Sequence, residues 1–328
     1  MYNNILVTGG CGFIGSHFVR LAKERFENVV VLDTLTYAAI NAPAGLKLAS
    51  ALQYVEDNVR YFKGSINDAA LTEWIIKNLE IDVVVNFAAE SHVDNSINGV
   101  GEFIKTNIEG VSVLLNACRY SWSDKSANKR FIQVSTDEVY GSLGLHEESF
   151  TEKSPYKPRN PYAASKAGGD HLVDAFFNTY EFPAIVTHCC NNYGPGQHEE
   201  KFIPKTIKAI LKGENIKIYG NGQNVREWIY VEDHCRGILH ALDYGKIGEH
   251  YNFGSGQEMS NLDIALWIRR NMEHLTDKKS VVEFIEDRKG HDLRYSVNSE
   301  KASNDIYWSA NMPFAAGLKE TINSYLSK

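Results

Sequence analysis

The sequence predicts an α/β chain built as a doubly wound parallel sheet with a smaller C-terminal lobe. Three observations carry this. Short β-branched runs alternate with longer helical patterns, a glycine-rich turn joins the first strand to the first helix, and the alternation fails after about Asn191. Repeated strand, helix, strand order implies right-handed crossovers and a sheet of Rossmann type, with a nucleotide site at its switch point.

The runs Ile5–Thr8, Val29–Asp33, Val59–Lys63, Val83–Phe87, Phe131–Ser135 and Ala184–His188 read as buried parallel strands. Between them Ile14–Phe26, Asp68–Leu79, Phe103–Tyr120 and Tyr162–Tyr180 read as helices. Residues 1–190 are therefore expected to form a dinucleotide-binding domain. The strand-like 225–231, a helix over 233–244 and a strand over 250–253 are expected to return to it, leaving 191–328 mainly as a second lobe. There is no internal repeat and no low-complexity segment.

Composition narrows the function classes. A chain of 328 residues with 34 Lys and Arg against 41 Asp and Glu has a formal charge of −7. Such a chain has no basic field to condense on nucleic acid, so any anion must be held locally. The five cysteines include no C-x-x-C pair, which argues against a disulfide framework and against a zinc site. No metal is expected, and a cytoplasmic location fits best. No apolar run approaches the roughly 20 residues that span a bilayer.

The segment Thr8-Gly9-Gly10-Cys11-Gly12-Phe13-Ile14-Gly15 follows a strand and opens a helix. In that context glycines allow a tight turn and let backbone amides approach a pyrophosphate. Asp33 ends the second strand. A carboxylate there accepts ribose hydroxyls and repels a 2′-phosphate, which favours NAD over its phosphorylated form.

Two further segments carry chemistry. The apolar strand ending at Ser135 delivers Thr136, Asp137 and Glu138 to the carboxyl edge of the sheet, where open α/β sheets bind ligands. Tyr162 and Lys166 lie one helical turn apart on one face. A phenol made basic near neutrality needs several kcal/mol of stabilisation of its anion, which an adjacent ammonium and a positive nicotinamide provide. Two neighbouring carboxyls can divide the work of base for carbon and acid for oxygen, provided their environments separate their pKa values.

Longer stretches extend the pattern: Ala88-Ala-Glu-Ser-His-Val-Asp94, Ser135-Thr-Asp-Glu-Val-Tyr-Gly141, Asn191-Asn-Tyr-Gly-Pro-Gly196, Glu200-Lys-Phe-Ile-Pro204, Arg226-Glu-Trp-Ile-Tyr-Val-Glu-Asp-His234 and Asp287-Arg-Lys-Gly-His-Asp-Leu-Arg294. With these the chain resembles the extended short-chain dehydrogenase/reductase superfamily and, within it, the dTDP-glucose 4,6-dehydratases. The resemblance implies a lyase that uses tightly bound NAD. It oxidises C4 of a nucleotide-glucose, eliminates water across C5 and C6, and returns the hydride to C6. Tyr162 would take the 4-hydroxyl proton beside Thr136, Glu138 the C5 proton, and Asp137 would protonate the leaving hydroxyl, with Lys166 supporting Tyr162; as the acid, Asp137 is expected to be the less solvated of the two carboxyls.

The resemblance also assigns contacts. Cofactor residues are Gly9, Gly12, Phe13, Ile14, Gly15, Asp33, Thr34, Leu35, Thr36, Ser65, Ile66, Ala88, Ala89, Ser91, Thr106, Tyr162, Lys166 and Asn192. Nucleotide-sugar residues are His92, Thr136, Asn191, Lys201, Phe202, Lys217, Tyr219, Arg226, Asn261, Arg288 and His291. A homodimer is implied, paired through the tyrosine helix and the helix near 103–120. Two departures stand out: Gly64-Ser65-Ile66 replaces the usual Gly-Asp-Ile, and Ala39-Ile40-Asn41 replaces the common Gly-Asn. A nucleotide-sugar 4-epimerase, a uronic acid decarboxylase or a non-catalytic nucleotide sensor on the same fold remain alternatives. None of them needs the Asp137 and Glu138 pair.

Overall fold

Seven parallel strands form the main sheet of the computed structural model, which describes residues 2–36, 59–122, 128–275, 279–287 and 290–326. In chain order the elements open with β1 (Asn4–Thr8), α1 (Phe13–Lys23), β2 (Asn28–Asp33), β3 (Arg60–Lys63), α2 (Ala69–Asn78) and β4 (Val83–Asn86). Next come α3 (Val93–Asn98), α4 (Gly101–Ile104), a π-helical turn over Lys105–Gly110, α5 (Val111–Ser121) and β5 (Arg130–Thr136). A 3-10 turn over Asp137–Tyr140 leads to α6 (Pro161–Tyr180), β6 (Ala184–Cys189), β7 (Asn191–Tyr193), α7 (Phe202–Lys212), β8 (Ile216–Tyr219) and β9 (Val225–Tyr230). The chain ends with α8 (Val231–Tyr244), β10 (His250–Phe253), β11 (Glu258–Ser260), α9 (Asn261–Met272), β12 (Val282–Ile285), β13 (Arg294–Tyr295), α10 (Glu300–Ile306) and α11 (Phe314–Leu326).

The main sheet runs β10-β6-β5-β4-β1-β2-β3, with every neighbouring pair parallel. Its strands are apolar on both faces because helices cover both. In β1, Ile5 and Val7 pack with Phe18 and Val19 of α1, while Leu6 joins Ile75 and Ile76 of α2 and Leu114 of α5. The same alternation repeats in β2 and β4. Rossmann order reverses between β1 and β4, so the crevice opens at the carboxyl ends of those strands.

Inside the sheet a polar ladder crosses three strands: Thr8 Oγ1 donates to Asn86 Oδ1 at 2.5 Å, and Asn86 Nδ2 donates to Gln133 Oε1 at 2.8 Å. All three side chains are fully buried. Paired polar groups of this kind are tolerated in a core only in matching register.

Two expectations are corrected. The strand expected over 225–231 to return to the main sheet is β9, which instead centres a small second sheet, flanked by β11, β13 and β7. The chain rejoins the first domain only after β9: α8 packs on α1, and β10 becomes the seventh main strand beside β6. The helix expected over 103–120 is α4, a π turn and α5 in succession. The π turn bulges where Asn107 meets α6; a methyl on Gly169 would lie 2.4 Å from the Asn107 carbonyl. A third apolar core, with Tyr193, Ile203, Ile207, Trp228, Ile264 and Ile268 among its members, lies under the second sheet.

Candidate active site

The turn after β1 is shaped by close approach. Gly9 has φ +67°, and a Cβ there would lie 2.8 Å from the Ala88 nitrogen. A Cβ on Gly15 would lie 2.2 Å from the Gly9 carbonyl oxygen. Gly12 is looser, with only the Gly9 oxygen near, at 3.2 Å. α1 begins at Gly12 without a side-chain cap, and Phe13, Ile14 and Gly15 line a cleft of about 580 Å³. Uncapped first-turn amides at a helix N-terminus bind an anion such as a pyrophosphate. Replacing Gly15 by Ala should cost about 1–3 kcal/mol of stability and most of the bound dinucleotide, because backbone must move to admit the methyl. Denaturant midpoint and cofactor content after purification measure this; unchanged values would show that the loop tolerates a side chain.

Asp33 lies at the cleft wall with both oxygens engaged: Cys11 N donates to Oδ2 at 3.0 Å and Leu35 N to Oδ1 at 2.8 Å. Burial raises its pKa, and the two amides pull it back. The carboxylate thus clamps the glycine loop and keeps spare lone pairs for a ribose. Thr34, Thr36, Ser65, Ile66, Ala88, Ala89, Ser91, Thr106 and Asn192 line the same cleft. Leu35 does not; its φ of +56° turns it so that its side chain packs on the core under α1. Ser65 is tied into its own turn, receiving the Asn67 amide at 3.1 Å.

The reacting end lies where β5 meets α6. Tyr162, Lys166 and Asp170 follow one another at single-turn spacing on α6, and each reaches the end of β5. The Tyr162 hydroxyl pairs with Thr136, Lys166 Nζ donates to the Val134 carbonyl at 2.7 Å, and Ser135 Oγ donates to Asp170 Oδ2 at 2.5 Å. Burial lowers the Lys166 pKa, against the attraction of Asp170. Burial and the charge of Glu138 push the Tyr162 phenol well above its ordinary range, and only the Thr136 hydrogen bond acts the other way. The chain alone therefore holds Tyr162 protonated; positive charge in the cleft is what a basic Tyr162 requires.

Thr136, Glu138, Tyr162 and Lys166 all line the cleft, whereas Asp137 does not. Asp137 is 2% exposed, receives the Thr136 hydroxyl at 3.2 Å, and its Oδ2 has no hydrogen-bond partner among the described residues. Burial raises its pKa well above the carboxylate range, followed by repulsion from Glu138 and Glu227. Glu138 is partly exposed and raised by burial, but the Asn160 amide on Oε2 at 3.0 Å and the charge of Arg226 oppose the rise. The pair is thus split into a strongly retained proton and a more readily ionised carboxylate.

The other end of the cleft is built by the second lobe. Asn191, Lys201, Phe202, Lys217, Tyr219, Arg226, Asn261 and His291 line it, as does His92 from the first domain. Lys201 reaches back to the Ser91 carbonyl at 3.1 Å, and Glu200 lies between His92 and His198 at 3.6 and 3.5 Å. The Arg226 guanidinium stacks on Tyr295 and donates to the carbonyls of Val225, Asp292 and Leu293. It offers a fixed edge of positive charge rather than a free fork. Arg288 lies outside the described residues. The sequence reading missed Asn160, Glu200 and Trp228, all on the cleft wall. For Asn160 the signal was present, since Asn before Pro is a helix start.

The family model described as GDP-mannose 4,6 dehydratase matches residues 6–321. The chain belongs to that family. Among its relatives, a dTDP-glucose 4,6-dehydratase of Haemophilus influenzae is 42% identical over 338 residues, covering 98% of both chains. The low-salt glycan biosynthesis protein Agl12 of Haloferax volcanii is 45% identical over 324 residues, again 98% of each. The crystal structure of DesIV, a dTDP-glucose 4,6-dehydratase from Streptomyces venezuelae with NAD and TYD bound, superposes with a TM-score of 0.88 at 42% identity, covering 98% of this chain and 96% of that one. Like the family's other members, this one is built on the Rossmann sheet described above. Among the described residues no helix is long and apolar enough to cross a membrane, and no cluster of three or more side chains could hold a metal ion.

Proposed function

We propose that this chain is an NAD-dependent nucleotide-sugar 4,6-dehydratase that converts dTDP-glucose to the 4-keto-6-deoxy sugar nucleotide. The observation that carries the reading is the convergence of Tyr162, Thr136 and Glu138 on one cleft wall, with a buried Asp137 whose proton is strongly held. The glycine cradle, the uncapped start of α1 and Asp33 fit NAD. When bound, NAD supplies positive charge beside Tyr162, accepts a hydride from C4 and returns it at C6. Tyr162, hydrogen-bonded to Thr136, takes the proton of the 4-hydroxyl. Glu138 removes the C5 proton, made acidic by the C4 ketone, and Asp137 protonates the departing 6-hydroxyl. Because Asp137 lies just behind the wall, its proton reaches the sugar by a small rotation of its side chain. Lys166 anchors α6 to β5 through the Val134 carbonyl and lines the same cleft as Tyr162.

Lys201, Arg226, Asn261 and His291 serve the nucleotide diphosphate, and Lys217 and Tyr219 its far end. Residues 1–190 with 231–253 bind NAD, and most of 191–328 binds the nucleotide sugar. A cytoplasmic homodimer fits the chain. All five cysteines are buried and none forms a disulfide among the described residues, and Val100, Ile104, Tyr120 and Tyr180 are exposed apolar side chains on or beside α4, α5 and α6. An epimerase reading is disfavoured because it leaves Glu138 and the protonated Asp137 without a task.

Incubation with a panel of nucleotide-glucoses, following the 4-keto product, tests the reaction. In heavy water the product should carry solvent deuterium at C5 and none at C6. Deuterium at C6 would refute internal return of the hydride, and a C4 epimer as the sole product would replace the dehydratase reading.

A further inference from the structure

Asn160 joins the Glu138 carboxylate to the first turn of the helix that carries Tyr162. It lies on the cleft wall immediately before Pro161, in extended geometry, as the cap of α6. Its Oδ1 accepts the Ala163 amide at 2.8 Å, which satisfies one of the open amides of the first helical turn. Its Nδ2 donates to Glu138 Oε2 at 3.0 Å. Tyr162 lies between these contacts, its own amide donating to Ser96 Oγ at 3.2 Å. An asparagine carries acceptor and donor on separate atoms, so it can cap and donate together; an aspartate can cap but has no proton to give.

We propose that Asn160 is a positioning residue that ties the Glu138 carboxylate to the first turn of the tyrosine helix, so that the base for carbon and the base for oxygen move as one unit. The proposal rests on the reading of Glu138 as the carbon base. The hydrogen bond also favours the ionised form of Glu138. Arg226 of β9 and Lys201 at the start of α7 act in the same direction, and Asp292 before β13 and burial act against it. Asp137 on the same turn, Tyr162 on α6 and Tyr295 on β13 are the other titrating groups coupled to it. Losing the donor therefore raises the proton affinity of Glu138, and activity that needs its anion moves to higher pH.

The test uses the NAD-loaded full chain and two variants that keep a good cap, Asn160→Ser and Asn160→Asp. Difference infrared spectroscopy follows the carboxyl band that disappears in Glu138→Gln, titrated without substrate. In both variants that band should titrate about one unit higher than in the wild-type chain, with the melting temperature little changed. The acid limb of kcat/KM should move with it, and kcat should fall about tenfold at neutral pH with KM unaltered. A Glu138 band that titrates as in the wild type in either folded variant overturns the proposal. If the wild-type chain dehydrated no nucleotide-glucose, the function would be misread, yet the infrared titration would still decide whether Asn160 holds Glu138.

Discussion

Glu138→Gln should slow formation of the 4-keto-6-deoxy product by about a thousandfold while leaving oxidation at C4 intact. The substitution is nearly isosteric, and the new amide can turn its oxygen toward Asn160, preserving the contact that Glu138 Oε2 now makes at 3.0 Å. What is lost is a lone pair basic enough to take a proton from carbon. The cycle then stops after its first half, and the bound dinucleotide should accumulate in reduced form, visible in its near-ultraviolet absorbance after mixing with substrate. Stability should not fall, since a carboxylate whose ionisation is opposed by burial is replaced by a neutral group. Dehydration at close to the wild-type rate would remove Glu138 from the role of carbon base. Failure to reduce the dinucleotide at all would instead show that Glu138 is needed before elimination, as a contact that orients the sugar.

Much of the site was legible because its parts are local. The glycines at 9, 12 and 15 are legible because strand, turn and helix follow one another without interruption, and the collisions that a side chain would make are with residues of the same turn or with the neighbouring strand. The positions of Thr136 and Tyr162 follow from the same logic, one at the end of an apolar strand and the other on a helix that must cover it. What was not legible depends on partners distant in the chain. β9 reads as a strand from its own residues, but it joins β7, β11 and β13 rather than the main sheet, and the pairing of such short strands is decided by packing. The π turn at 105–110 has no sequence period of its own, and it exists where Gly169 lets the Asn107 carbonyl approach α6. The setting of Arg226 is likewise distant in the chain: the bend before β13 turns the Asp292 and Leu293 carbonyls toward its guanidinium, beside the carbonyl of its neighbour Val225. Asp137 and Glu138 are adjacent and chemically alike, so their order along the chain does not separate them; only the acid role implied for Asp137 made it the one expected to be less solvated. A 3-10 turn, capped by the Thr136 hydroxyl on the Glu138 amide, puts Glu138 on the wall and Asp137 behind it.

That difference between neighbours gives the second large effect. Asp137→Asn should lower dehydration by a factor of about 10² to 10⁴, because the departing hydroxyl loses its proton donor, and it should at the same time make the protein harder to unfold at alkaline pH. Asp137 is buried, and burial together with Glu138 and Glu227 makes its ionisation more costly in the folded chain than in the unfolded one, where a carboxyl titrates at about 3.9. Below that pH the group is neutral in both states and the wild type bears no penalty. As pH rises from there through the raised folded value, the unfolded state ionises first and the wild type loses stability. Asparagine cannot ionise, so the variant escapes this loss. Asp33, Glu138 and Glu227 are also raised, but they are present in both proteins, so the difference between the two stability curves isolates Asp137. Chemical denaturation across pH should therefore give curves that converge near pH 4 and separate steadily above it, with Asp137→Asn the more stable. The alkaline limb of the wild-type kcat/KM profile should disappear in the variant as well, since that limb records loss of the Asp137 proton. Parallel stability curves would mean that Asp137 ionises as easily folded as unfolded. A carboxyl of that kind could not hold a proton for the 6-hydroxyl at neutral pH, and the acid would have to be sought elsewhere on the cleft wall.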